Sequence, residues 1–186
     1  MEEEIRERIA KGYKAFYANK ALFKSNLVSM KSKLKLYWSV IRPIVVYGCE
    51  TWVLKESIIQ KLSVFERKIL SKIFGPTKEA NGIWRIKTNK ELDELIKHRN
   101  IINYVKAQRL SWFEHTNRMP EISIVKRIHK WKTLTGRPAG SPKSRRDDDV
   151  RNDLKKKMKL VKWAEQVQDR YNWKAIVEKA KTLSEL

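Results

Sequence analysis

The sequence predicts an all-α fold: seven to nine helices and one short β-hairpin, in two small helical lobes. Three observations predict it. Apolar residues recur at helical spacing along most of the chain, most cleanly as Ile58, Leu62, Phe65, Ile69 and Ile73,. Proline and glycine fall where those stripes stop, at Gly75-Pro76 and Met119-Pro120,. A hydrophobic content of 41%, with seven Trp, six Tyr and five Phe in 186 residues, is enough for a true core and argues against disorder,.

Taken in order, residues 3–24 carry Ile5, Ile9, Phe16 and Leu22-Phe23 on a broken stripe behind an acidic start that suits a helix N-terminus,. Ser29 is the N-cap of a second helix through Leu34, Tyr37, Trp38 and Ile41,. Pro43 must kink or end that helix, since it removes a hydrogen bond and crowds the preceding turn. The β-branched run from Ile41 to Tyr47 makes a strand the competing reading, and a kinked helix is expected. Gly48 breaks the chain, and a helix follows at about 55–74, with Lys61, Arg67, Lys68 and Lys72 on its outer face.

Residues 77–88 read as a loop or short hairpin around Asn81-Gly82,. Thr88 or Asn89 caps a short helix over 90–97. The stretch His98–Pro120 then reads as one amphipathic helix, with Ile101, Ile102, Val105, Trp112 and Phe113 inward and Lys106, Arg109 and Arg118 off or at the margin of that stripe, presenting charge outward,. A further helix ends near Trp131, with Ile122, Val125 and Ile128 every third residue. Residues 132–146 form a basic loop, and helices over 145–160 and 162–183 close the chain,. The expected lobes are 1–76 and 77–186.

A formal charge of +21 predicts attraction to a polyanion, nucleic acid first and a membrane surface second,. From Lys126 to Lys162 there are fourteen Lys or Arg against four Asp. The single Cys49 excludes an intramolecular disulfide framework and a cysteine zinc knuckle within this chain, and fits a reducing compartment,. No apolar run is long enough to span a membrane, and Glu2-Glu3-Glu4 has the wrong charge for a signal peptide,. An intracellular protein of nucleus or cytoplasm is expected, not a secreted or membrane one.

Three ordered boxes carry a resemblance. LYWSVIRPIVVYGCETW at 36–52, RLSWFEHTNRM at 109–119, and GRP at 136–138 with DDV at 148–150 resemble boxes near the C-terminal end of non-LTR (LINE-like) retrotransposon reverse transcriptases. Arg109, Leu110, Trp112, His115, Arg118 and Met119 match the middle box. Glu114 stands where the family usually has Gly, and Arg146 where it usually has Trp. The resemblance implies a thumb over 1–76 and a connector over 77–186, following a palm and fingers this chain lacks. A thumb grips a template–product duplex through its phosphates, so the implied partner is RNA, DNA or their hybrid, with the missing palm and fingers as a protein partner.

No active site is expected. Polymerisation needs carboxylates converging on two metal ions, and the one acidic run, Asp147-Asp148-Asp149, is flanked by Arg145, Arg146 and Arg151 rather than apolar strand residues,. Three consecutive helical residues also fan out over about 200°. Their expected role is capping and salt bridging, facing the protein. His98, His115 and His129 are single and structural, and Cys49 is a small buried hydrophobe,. No metal or cofactor is implied. The residues expected to meet nucleic acid are Lys33, Lys35 and Arg42 in the first lobe and Lys106, Arg109 and Arg118 on the central helix. Arg137, Lys143, Arg145, Arg146 and Arg151 complete the set. Two other readings stand beside this one: a protein-interaction module, marked by an apolar patch left open on the first lobe, and the remnant of a decayed element with no selected function.

Overall fold

The computed structural model describes residues 2–80, 82–131, 146–158, 160 and 163–182. Helix α1 (Glu2–Ala18) begins with its three glutamates. It ends at Asn19, whose side chain donates to the Ala15 carbonyl at 2.9 Å, and a short α2 (Lys20–Lys24) follows. Ser29 caps α3 (Met30–Leu36), its hydroxyl accepting the Ser32 N–H at 3.2 Å,. The helix then widens into a π turn, Tyr37–Ile41, and resumes as α4 (Arg42–Val46). Pro43 accounts for the widening. It has no N–H to give and its ring crowds the turn before it, and the π turn, closed by Arg42 N–H on the Tyr37 carbonyl, absorbs the misfit,. The run from Ile41 to Val46 is therefore helical. Gly48, at φ +68°, turns the chain away,.

Helix α5 (Glu56–Phe74) buries all five residues of its predicted stripe and stops at Gly75, φ +67°. The hairpin is present as β1 (Thr77–Lys78) antiparallel to β2 (Trp84–Arg85), Thr77 opposite Arg85. Thr88 and Glu91 form a reciprocal capping box on α6 (Asn89–Leu95),. Lys97 and His98 then adopt left-handed backbone, φ +54° and +58°, so the central helix α7 (Ile101–Arg118) starts three residues later than expected. Asn100 caps it by accepting the Asn103 N–H at 2.8 Å. Helix α8 (Ile124–Lys130) follows Pro120. Helix α9 (Arg146–Asn152) runs into a second π turn, Asp153–Lys157. The single helix expected over 162–183 is two, α10 (Trp163–Gln166) and α11 (Arg170–Ala180), because Asp169 takes the N–H groups of Tyr171 and Asn172 and starts a new helix.

Two apolar cores meet on α7. Ile101, Ile102 and Val105 join α1, the π turn, α4 and α5 in the first. Ala107, Leu110 and Phe113 join Val150, Leu154, Val167 and Trp173 in the second. The division between cores thus falls inside α7, not near residue 76. Gly12 lets α1 close on the first core: a Cβ there would lie 2.5 Å from Val45 Cγ2 and 2.9 Å from Phe65 Cζ. The indole Nε1 of Trp173 donates to the Leu110 carbonyl at 3.1 Å, pinning α11 to α7. No helix among the described residues is long and apolar enough to cross a membrane.

Candidate nucleic-acid interface

Because α7 is covered on more than one side, its cations do not all face outward, which corrects the reading of a single apolar stripe. Arg109 is only 1% exposed. Its Nη2 lies 2.7 Å from Asp149 and its Nη1 3.8 Å from Asp153, so its charge is spent on α9 and the turn after it. Asp149 also accepts the Leu54 N–H at 3.1 Å. Asp147 and Asp149 face protein groups while Asp148 is exposed, and Asp149 caps backbone 95 residues away rather than its own helix. Lys106 is buried on the same helix, and Lys33 is buried on α3. These three residues are removed from a direct phosphate contact. Arg118 is partly exposed and paired with Glu114, one helical turn before it, at 2.8 Å.

Of the remaining expected contacts, Arg137, Lys143 and Arg145 lie outside the described residues. Arg146 is half-buried, and burial together with the neighbouring Arg109 lowers its pKa below the usual guanidinium range. Arg151 is exposed, 2.7 Å from Asp147, with its guanidinium 5.2 Å from the centre of the Trp163 ring. Lys35 is exposed on α3. Arg109, Arg118 and Arg151 are thus tied into ion pairs, and the acid-free charge lies on other residues.

It gathers around Tyr17 at the end of α1. This ring is 50% exposed. Lys72 donates to its hydroxyl and stands 4.5 Å from the ring centre. Together with Lys20 and Lys68, Lys72 lowers the phenol pKa below its ordinary value. Neither Lys20, Lys68 nor Lys72 has an acidic partner among the described residues. Sequence reading placed Lys20 and Lys72 on outward faces without bringing them together. Only the packing of α1 against α5 does so, and no spacing in the chain encodes it.

A second concave site lies between the π turn, the start of α7 and the end of α11, a cleft of about 240 Å³ lined by Trp38, Arg42, Arg99, Asn100, Tyr104 and Lys181, with Glu178 and Thr182. The Arg42 guanidinium sits 4.0 Å over the Tyr104 ring. Its Nε and the Trp38 Nε1 are buried and make no hydrogen bond. A buried donor without an acceptor costs about 1–3 kcal/mol. Burial lowers the Arg42 pKa, and the nearby Arg99 lowers it further.

No group of three or more His, Cys, Asp or Glu among the described residues could hold a metal ion. Burial pushes the Cys49 thiol up to about 12, which leaves it a protonated, inert side chain,. Comparisons with protein-family models, with curated proteins and with solved structures find no match to this chain.

Proposed function

We propose that this chain is a non-catalytic, sequence-independent nucleic-acid-binding domain, akin to the thumb and connector of a non-LTR retrotransposon reverse transcriptase and working inside the cell, in nucleus or cytoplasm. The observation that carries the reading is the acid-free cluster of Lys20, Lys68 and Lys72 around the half-exposed Tyr17. Three mobile ammonium groups beside an aromatic face suit a phosphate backbone, which supplies affinity without reading bases. The chain's formal charge of +21 draws such a partner from a distance,. The resemblance in the boxes at 36–52 and 109–119 supplies the thumb analogy, and a palm-and-fingers unit is the protein partner that analogy implies.

A second reading, a protein-docking module, rests on a different observation. The apolar patch expected on the first lobe has a stronger counterpart next to α8, where Ile122 is 86% and Trp131 67% exposed, with Ile124 and Ile128 also open,. One experiment separates the two. Anisotropy of a labelled mixed-sequence duplex, titrated across salt concentrations, should show Lys20→Glu/Lys68→Glu/Lys72→Glu binding more weakly by the same factor for unrelated sequences. The log–log salt slope should fall by about 0.9 per lost phosphate contact. An unchanged affinity and slope would remove the cluster from the interface and leave the α8 face as the better candidate.

A further inference from the structure

Resting on that reading, we infer that the cleft between the π turn, α7 and α11 is a distinct subsite that takes the phosphate and base of one unpaired nucleotide. Its walls come from three parts of the chain that only the fold joins: Trp38 and Arg42, then Arg99, Asn100 and Tyr104, then Lys181. Arg42, Arg99 and Lys181 give three positive charges against the one carboxylate of Glu178, which pairs with Lys181 at 2.5 Å. Net positive charge in a concave site selects an anion. Guanidinium and ammonium groups donate hydrogen bonds and cannot accept them, so the anion must bring acceptor oxygens. A phosphate does both.

Size narrows the choice further. About 240 Å³ lies below the roughly 300–1,000 Å³ of ordinary small-molecule pockets, so a cofactor or a duplex does not fit, whereas one nucleotide can enter in part,. Two aromatic rings, Trp38 and Tyr104, line the same space. The Arg42 guanidinium lies 4.0 Å from the Tyr104 ring centre, which keeps positive charge beside the aromatic wall, and base–aromatic stacking needs no particular sequence,. A paired base cannot reach such a wall. The subsite therefore distinguishes a single-stranded tail from a blunt duplex, a discrimination the open cluster at Tyr17 cannot make.

The test compares the full chain on two labelled hairpin duplexes, one blunt and one with a short single-stranded tail. Wild type should bind the tailed duplex roughly tenfold more tightly. Arg99→Glu/Lys181→Glu should bring that ratio close to one, and the milder Arg99→Ala should lower it partway. Lys11→Glu/Lys14→Glu, with the same charge change on exposed α1 positions, should weaken both substrates together and keep the ratio. Trp38→Phe should reduce the quenching of tryptophan emission by the tail. A wild-type ratio near one, or a ratio that survives in the cleft variants, overturns the subsite while leaving duplex binding in place. Failure of wild type to bind either substrate would instead overturn the nucleic-acid reading as a whole, and the subsite with it.

Discussion

Of the charges buried around α7, Glu66 and Arg109 are the most enclosed and lie beside different cores, and the molecule treats them in opposite ways. Glu66 on α5 accepts the Tyr37 hydroxyl at 2.9 Å and the Ile101 N–H at 2.7 Å, at the first turn of α7. Burial raises its pKa to about 7, outweighing those two donors and the pull of Arg42,. Arg109, half a helix further on, has no such freedom, because a guanidinium keeps its proton throughout the accessible pH range. It draws carboxylates from another element instead, Asp149 and Asp153. The difference teaches how each core is assembled. A buried acid can be settled by one proton, so the first core needs no added segment. A buried arginine must recruit one, and so fixes α9 to α7.

The largest effect should come from breaking the second arrangement. Asp149→Ala leaves Arg109 buried with the longer Asp153 contact and a 3.5 Å bond to the Arg146 carbonyl, and orphans the Leu54 N–H as well. Removing one partner of a buried pair costs about 3–5 kcal/mol. Urea unfolding should show a loss in that range, with Asp148→Ala, the exposed neighbour, as a near-neutral control. A loss at Asp149 no larger than at Asp148 would mean that the pair does not hold the second core together.

The first arrangement is tested by pH. A carboxyl whose pKa is raised from 4.5 to about 7 on folding binds more protons in the folded chain across that window. Its contribution to stability is therefore present below about pH 4.5 and lost as pH rises through about 7, by about 3 kcal/mol for a shift of that size,. Glu66→Gln keeps an acceptor for Ile101 and cannot ionise. Relative to wild type it should gain about 2.5 kcal/mol between pH 5 and pH 8 in chemical unfolding. A wild-type stability that rises over this interval while the variant stays level would reverse the sign and show Glu66 to be held ionised.

What could be read in the sequence follows from distance along the chain. Helix ends set by neighbours were legible: Ser29, Thr88, Gly75, and the misfit at Pro43 all act within five residues. So was the α5 stripe, whose burial needs only a period. Long-range facts were not. Gly12 has no local signature for the approach of Val45 and Phe65, and left-handed backbone at Lys97 and His98 is uncommon for any residue but glycine,. Arg109 looked like a surface charge because a periodic stripe reveals one face, whereas α7 is enclosed by two cores. The candidate interface was the least legible. Its lysines were visible as charges, but the clustering of Lys20, Lys68 and Lys72 on Tyr17 is a product of packing between α1, α2 and α5.

The smallest effect sharpens the contrast, because its size should itself depend on pH. Tyr37→Phe removes the hydroxyl that Glu66 accepts and changes little else, since the ring stays buried in the first core. Below pH 5, where Glu66 is protonated, the lost bond joins neutral groups and should cost about 1 kcal/mol. Above pH 8 the same bond is made to a carboxylate, and its loss should cost about 1.5–3 kcal/mol. The variant's deficit should therefore grow as Glu66 ionises, with a midpoint near its pKa of about 7, shifted upward because one stabilising donor is gone. Combining the change with Glu66→Gln should abolish that growth, since no charge then develops. A Tyr37→Phe deficit that stays flat from pH 5 to pH 8 would show that the hydroxyl does not share in the titration of Glu66, and that the two buried charges are handled more alike than their contacts indicate.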